Sequence, residues 1–510
     1  MTGVLKVMVT NRGAARAKYG AEGWTKLRHA VAALVAADQR RGITTRLIAL
    51  DAPAALKKVG AAAVTHADDV AGIKLAIDAI YRSWNPAYLV LLGGPDILGT
   101  VNLNNPLWTG DPNDDPDRFI PSDLPYACDV ALSMSPSDYR GATRAVGRIP
   151  DLMGATDPAV LITQLARSTN ATSFVRQSPE PVFAVSAKVW SASTRKSIAG
   201  LADVGGAVRT SPAEGPVWTK TDTAPQIHFV NCHGGEFDPL WYGQQSPNNW
   251  NLPTAISAAS LPGLVVAGTV VAAECCYGAA HWPPAAALGQ ASVAMTYLAQ
   301  GAAGVFGAST VAYGPAASNN YADVVCRLFV DEVLGGASLG RAALSARQRF
   351  VQSQSFLDPT DVKTLAQFNL LGDPSTVAFV APPAAPTTRK GRSRAVAAPH
   401  ASTAVTSRRE MLRAIGDALQ QTAVTCRDAA RPRPTITATA LAALLGRDIP
   451  STVTIRTFDA DRTVGLAATT NRGPRAHVVF VPARDRRGDT LVVVREEPGG
   501  QSEIRTAVRR

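Results

Sequence analysis

Short apolar runs and longer amphipathic stretches alternate along most of the chain. VLKVMVT (4–10), TTRLIAL (44–50), AYLVLL (87–92), PVFAVSA (181–187), QIHFVN (226–231), GLVVAGTVVAAECCYGA (263–279) and GAAGVFGAST (301–310) are apolar and β-branched enough for buried strands. Between them GWTKLRHAVAALVAADQRRG (23–42), ADDVAGIKLAIDAIYRSW (67–84) and AAALGQASVAMTYLAQG (285–301) carry the helical period, and two of the three end at glycine. Strand–helix alternation of this kind predicts an α/β fold with a parallel sheet covered by helices.

The pattern breaks near residue 380. APPAAPTTRKGRSRAVAAPHAS (381–402) has no core-forming period and reads as a basic, Pro/Ala-rich linker. Beyond it, REMLRAIGDALQQTAVTCRDAA (409–430) has helical spacing, and TVTIRTF (452–458), AHVVFVPA (476–483) and DTLVVVRE (489–496) read as strands. The expected organisation is an N-terminal α/β subdomain (1–170), a second α/β subdomain carrying the chemistry (171–382), the linker (383–407) and a small α+β module (408–510).

Composition sharpens this only a little. At 510 residues with 46% hydrophobic content, several packed units are expected. No apolar run is long enough to span a bilayer and the first residues lack the pattern of an export signal, so a soluble, cytoplasmic protein is expected. The six cysteines show no framework spacing and read as free thiols. The formal net charge of +11 lies largely in the tail. That bias admits nucleic acid as a partner, but a solvated linker is the favoured reading.

Chemistry in parallel sheets collects at the carboxyl ends of strands. Two such ends stand out: His233 leaves an apolar run directly into Gly234–Gly235, and about forty residues later Cys275 and Cys276 end another. A thiol nucleophile needs an imidazole to manage protons and backbone N–H groups to hold an oxyanion. Either residue alone is more often a core side chain; in this order and frame they suggest a dyad.

The residues around the dyad resemble the gingipain family of cysteine peptidases. PAYLVLLGGPD (86–96), IPSDLPYACD (120–129), AVGRIPD (145–151), FVNCHGGEFDPLWYG (229–243), GAAGVFGAST (301–310) and FNLLGDPST (368–376) are similar to that family's motifs in the same order, covering about residues 4–380. The resemblance implies a caspase-like parallel-sheet sandwich in two adjacent subdomains, with the C-terminal α+β appendage outside it. It further implies a peptidase acting through a thioester on protein or peptide substrates, with no metal or organic cofactor. His233 would be the general acid/base, and the N–H groups of Gly234 and Cys276 the oxyanion donors. Cys276 is the favoured nucleophile because Cys275 then fills the small preceding position and Gly278 follows two residues later; Cys275 remains the alternative.

The chain departs from the family at specificity. The segment expected to hold a pocket acid, AVSAKVWSASTRKSIAG (184–200), offers Lys188, Arg195 and Lys196 and no carboxylate. A small, apolar or acidic residue beside the scissile bond is therefore expected, with Glu236 and Tyr313 marking loops that could supply the pocket. Asp373 reads as a turn former, Asp123 and Asp129 as loop caps or weak calcium ligands, Cys232 as core, and His281 as a backup imidazole. Two other classes remain open: a catalytically silent scaffold, and a regulator tethered to nucleic acid by the basic tail.

Overall fold

The computed structural model describes residues 3–177, 181–199, 201, 207–210, 218–247, 249 and 251–380, and beyond them the segments 425–428, 454–461, 475–481, 490–496 and 502–509.

The first half runs β1 (Val4–Thr10), α1 (Arg12–Arg40), β2 (Ile43–Ala49), α2 (Pro53–Lys57), α3 (Val70–Trp84), β3 (Tyr88–Leu92), the hairpin β4 (Val101–Asn104) and β5 (Phe119–Ser122), α4 (Leu124–Ala127) and β6 (Val146–Ile149). The second runs α5 (Ala159–Thr169), β7 (Phe183–Ser186), α6 (Ser191–Ala199), β8 (Val208–Thr210), β9 (Ile227–Asn231), β10 (His233–Gly234), β11 (Leu240–Tyr242), β12 (Thr254–Ser257), β13 (Val270–Ala273), α7 (Val293–Ala299), β14 (Gly304–Ala308), β15 (Tyr313–Gly314), α8 (Ala322–Leu334), α9 (Leu339–Gln352), α10 (Pro359–Gln367) and β16 (Phe368–Gly372). Helix starts follow their capping chemistry: the Asn11 side chain accepts from Ala14 N, and Asp358 forms a capping box with Asp361 ahead of α10. The first helix begins eleven residues before the periodic stretch suggests, because α1 continues across a kink at Gly20 (φ 70°).

Ten strands form one sheet in the order β2-β1-β3-β6-β16-β14-β13-β9-β7-β8. The sheet is the mostly parallel α/β layer expected, with helices packed on it and one continuous hydrogen-bonded ladder through both halves. β16 runs parallel to β6 but antiparallel to β14. Strands β1, β2, β3 and β6 therefore point opposite to β7, β8, β9, β13 and β14. The carboxyl ends of the second set, where His233 and the cysteines lie, form one edge of the sheet. The long apolar stretch 263–279 contributes only Val270–Ala273 as strand, since its first part turns at Gly263 and Gly268.

A buried cation ties the halves together. Lys6 of β1 donates to Asp373 Oδ2 at 2.9 Å and pairs with Asp38 at 2.5 Å, with all three side chains nearly solvent-free. Asp373 thus does more than form its turn. Arg148, fully buried in β6, forks onto both oxygens of Asp123, and Asp129 pairs with Arg144, so both aspartates are ion-pair partners.

The C-terminal strands are β17 (Thr425–Asp428), β18 (Thr454–Asp461), β19 (Arg475–Val481), β20 (Thr490–Glu496) and β21 (Ser502–Arg509). They form an antiparallel meander whose last strand pairs with β15 of the second half, giving the order β15-β21-β20-β19-β18-β17. Its sheet incorporates β15, a strand of the preceding half. Thr425–Asp428, expected as the end of a helix, is a strand paired with β18; the rest of that expected helix and the linker 383–407 lie outside the described residues. No helix among the described residues is long and apolar enough to cross a membrane.

Candidate active site

Strand alternation sorts the side chains at the reactive edge. On β9, Val230 faces the core shared with Cys232 and Trp241, whereas Asn231 on the opposite face donates to Thr194 Oγ1 at 3.0 Å. His233 follows Asn231 in parity, and its ring lies 4.3 Å from that of Trp190, in the turn that begins at Lys188. The basic segment Lys188–Lys196 thus flanks the histidine, and Lys196 itself donates to Ala317 O.

β13 runs parallel beside β9 with Ala273 opposite Val230, and Glu274 N donates to Val230 O. Beyond this register the two strand ends stay adjacent: Cys275 shares a core cluster with Cys232, and a Cβ on Gly234 would meet Cys276 O and Cys275 Cβ. The two sulfurs occupy different environments. Cys275 packs with Val230 and Cys232, its Sγ 3.8 Å from Val230 O. Cys276 packs with Tyr277, Val311 and Tyr313, and its Sγ lies 3.3 Å from Ala312 N, which donates to it, and 3.6 Å from Ala312 O. Cys128, Cys232, Cys275, Cys276 and Cys326 are all buried.

Gly234 occupies a position that no other residue fits. A Cβ there would come within 2.0 Å of the carbonyl oxygen of Cys276, which locks the His-Gly segment against the backbone of the cysteine. The imidazole is held by an amide: His233 Nε2 lies 3.0 Å from Oε1 of Gln244, itself buried. Sequence reading missed Gln244, which lies eleven residues on in a hairpin.

Behind the cysteines a charged clamp reaches across from the first half. Lys363 on α10 pairs with Asp115 at 2.5 Å and with Asp117 at 3.5 Å. Asp117 accepts from Tyr277 Oη and from Val311 N, each at 2.8 Å, and Asp115 from Tyr313 Oη at 3.1 Å. Tyr277 sits at positive φ (54°), a conformation uncommon for a bulky residue. The acidic run DPNDDPDR (111–118) was the available signal, but its partners lie far away in sequence.

Burial dominates the electrostatics. It pushes the Cys276 thiol up to about 11, against which the nearby Arg509 cation pulls down, and pushes Cys275 well above its ordinary value. Glu236 is raised by burial and by the charge of Asp117. A cavity of about 240 Å³ opens beside the site, lined by Glu236, Phe237, Tyr277, His281, Trp282 and Asn369 among others. Glu236 lies on this cavity; Tyr313 is buried instead behind Cys276. His281 lines the cavity too, held well below its ordinary range at about 4 by burial. No cluster of three or more His, Cys, Asp or Glu able to hold a metal occurs among the described residues.

Residues 249–379 match the model of peptidase family C25. The matched segment holds both cysteines, Tyr277, the β14–β15 edge and Lys363, and begins after His233. This agrees with the family resemblance read from the motifs. A solved structure described as "Structure of Protease" is similar over 99% of this chain and 97% of that one, at 12% identity and a TM-score of 0.47. No curated protein matches.

Proposed function

We propose that the chain is a cysteine endopeptidase in which His233 is the general acid/base, Cys276 the nucleophile, and the N–H groups of Gly234 and Cys276 the oxyanion donors. The observation that supports this reading is the packing of Gly234, the residue after His233, against the Cys276 carbonyl at the ends of the paired strands β9 and β13, with Cys276 inside a segment similar to a peptidase family.

In the proposed reaction the Cys276 proton passes to the imidazole and the sulfur attacks the peptide carbonyl carbon. The C–N bond of the tetrahedral adduct breaks as the imidazolium returns the proton to the leaving amine. The thioester is then hydrolysed by a water that gives its proton to His233, and the new carboxyl product leaves with regeneration of the thiol. Gln244 keeps the ring in place, as the third member of such arrangements does. The Tyr277 conformation, fixed through Asp117, sets the backbone that follows the nucleophile.

The test is cleavage of a mixed peptide library by the purified chain with the C-terminal strands undocked by Arg495→Glu/Arg505→Glu, compared with the same protein carrying Cys276→Ala or His233→Ala. Products from the undocked protein and none once either substitution is added support the reading; equal cleavage by all three overturns it. A second reading, a catalytically silent scaffold, is favoured by one observation: Cys276 is only 1% exposed. Peptide cleavage by the undocked protein separates the two, since a scaffold gains no turnover when its buried cysteine is uncovered.

A further inference from the structure

Cys276 is buried in a hydrophobic cluster that also holds Ala476, Val478 and Phe480 of β19, Leu491 and Val493 of β20 and Ala507 of β21, all from the C-terminal module. β21 completes the cover by pairing antiparallel with β15, Tyr313 opposite Arg509 and Gly314 opposite Val508. β15 begins one residue after Ala312, whose backbone touches the Cys276 sulfur on both sides. The Arg509 cation is close enough to Cys276, Tyr313 and Asp115 to interact with each of them.

From this arrangement we infer that the C-terminal module is an intramolecular inhibitor, and that β21 occupies the strand edge an extended peptide needs in order to reach Cys276. The inference rests on the peptidase reading. Its physical basis is twofold. A scissile carbonyl must approach the sulfur to about 3–3.5 Å, which a thiol sealed under a β-sheet does not allow. The free edge beside a nucleophile is also the natural place for a peptide to add as a strand, and here β21 already satisfies it.

The module is fastened by side chains that do not themselves bond the thiol, so docking and chemistry are separable. Arg495, buried on β20, donates to Phe356 O and lies over the Phe356 ring at 4.0 Å. Arg505 on β21 donates to Gln354 Oε1 at 3.0 Å and faces the buried Asp361 at 3.8 Å. These contacts fall on the α9–α10 connection and on α10. An activator would need only to outcompete them, and by linkage a substrate that takes the β15 edge weakens module docking by the same factor.

The experiment uses the full chain and the double variant Arg495→Glu/Arg505→Glu, which sets carboxylates against Asp361. Iodoacetamide labelling of each cysteine is followed by mass spectrometry, with amide exchange of residues 312–314 as an independent report of undocking. The expected result is faster exchange at 312–314 and at least tenfold faster labelling of Cys276. Cys128 and Cys326, buried in other cores, should stay as slow as in the wild type. Added peptide of sequence SEIRTAVRR, residues 502–510, should slow Cys276 again. Faster exchange with unchanged Cys276 labelling overturns the inhibitor assignment, as does a parallel rise at all three cysteines, which would make the module part of the core. Unchanged exchange and labelling also overturn it, because the module would then not be releasable. Failure of the peptide to protect overturns the role given to β21. Rapid labelling without any gain in peptide cleavage leaves the cover in place but removes the peptidase reading on which inhibition depends.

Discussion

The Cα of Gly234 faces the carbonyl oxygen of Cys276 so closely that a methyl group on it would lie 2.0 Å from that oxygen. The residue after the proposed base and the proposed nucleophile are thus packed backbone to backbone. Neither is a flexible side-chain tip, so an added Cβ must push the two strand ends apart. Gly234→Ala should cost about 1–3 kcal/mol of stability as overpacking does, and should reduce turnover by more than tenfold through displacement of the oxyanion donor. Denaturant melts and peptide cleavage measure the two effects. Wild-type turnover in the alanine variant would show that the Gly234 N–H is not in the site.

Lys363 is the buried keystone of the clamp behind the cysteines. Its removal in Lys363→Met takes from Asp115 and Asp117 the buried cation they share, so a loss of about 3–5 kcal/mol is expected. The additional substitutions Asp115→Asn and Asp117→Asn should recover part of that loss, because the uncompensated charge is then gone. Urea denaturation of the three proteins checks this, and equal stability of Lys363→Met and the wild type would contradict it.

Much of this fold was legible in the sequence because buried strands announce themselves by apolar runs whatever their partners. VLKVMVT, AYLVLL, PVFAVSA and QIHFVN all lie over observed strands, and Asp69 caps the second predicted helix as its spacing suggests. Strand direction was not legible: FNLLG looks the same parallel or antiparallel, and only the chain path through α8, α9 and α10 makes β16 antiparallel to β14. β21 was missed because SEIRTAVR carries charges at many positions and has no apolar run. It is a strand because β15 and β20 pair with it on either side. Of the site, the His233–Gly234 and Cys275–Cys276 segments were visible as strand ends, whereas Gln244, Asp115, Asp117 and Lys363 were not. Lys363 and Asp115 are 248 residues apart, and no local pattern couples them.

Acid should weaken the protein through its buried imidazoles. His228 is fully buried between Tyr297 Oη and Thr223 O, and burial lowers it to about 4. A histidine depressed in the folded state is neutral there while the unfolded chain takes up a proton below about pH 6.5. Its contribution is therefore intact above pH 6.5 and is lost as the pH falls toward 4, by up to about 3 kcal/mol. His281 acts in the same direction and over the same interval. Unfolding free energies measured between pH 7 and 4.5 should decline, and less steeply in His228→Phe. Identical pH slopes for the two proteins would assign the decline elsewhere.

The adjacent cysteines give the sharpest contrast. Cys275 lies with Val230 and Cys232 in the core on one face, and Cys276 lies against Ala312 beneath β21. Removing the Cys275 sulfur trims a small buried group, so Cys275→Ala should cost about 1 kcal/mol and leave most of the activity. Cys276→Ala should abolish both turnover and labelling by a thiol-reactive inhibitor, and His233→Ala should lower turnover by orders of magnitude, because nucleophile and base act as a unit. The pH dependence separates the sulfurs further. With its thiol held near 11 by burial, Cys276 in the intact chain should alkylate faster by about a decade per pH unit through the neutral range, as the thiolate fraction grows. Undocking the module relieves that burial, which is the largest influence on the thiol, and removes the Arg509 cation, which opposes it; the first outweighs the second, so the profile should move to lower pH. Label found on Cys275, with Cys276→Ala still active, would transfer the nucleophile to the other sulfur and leave His233 as its partner. A profile that shifts upward on undocking would show instead that Arg509 activates the thiol it covers.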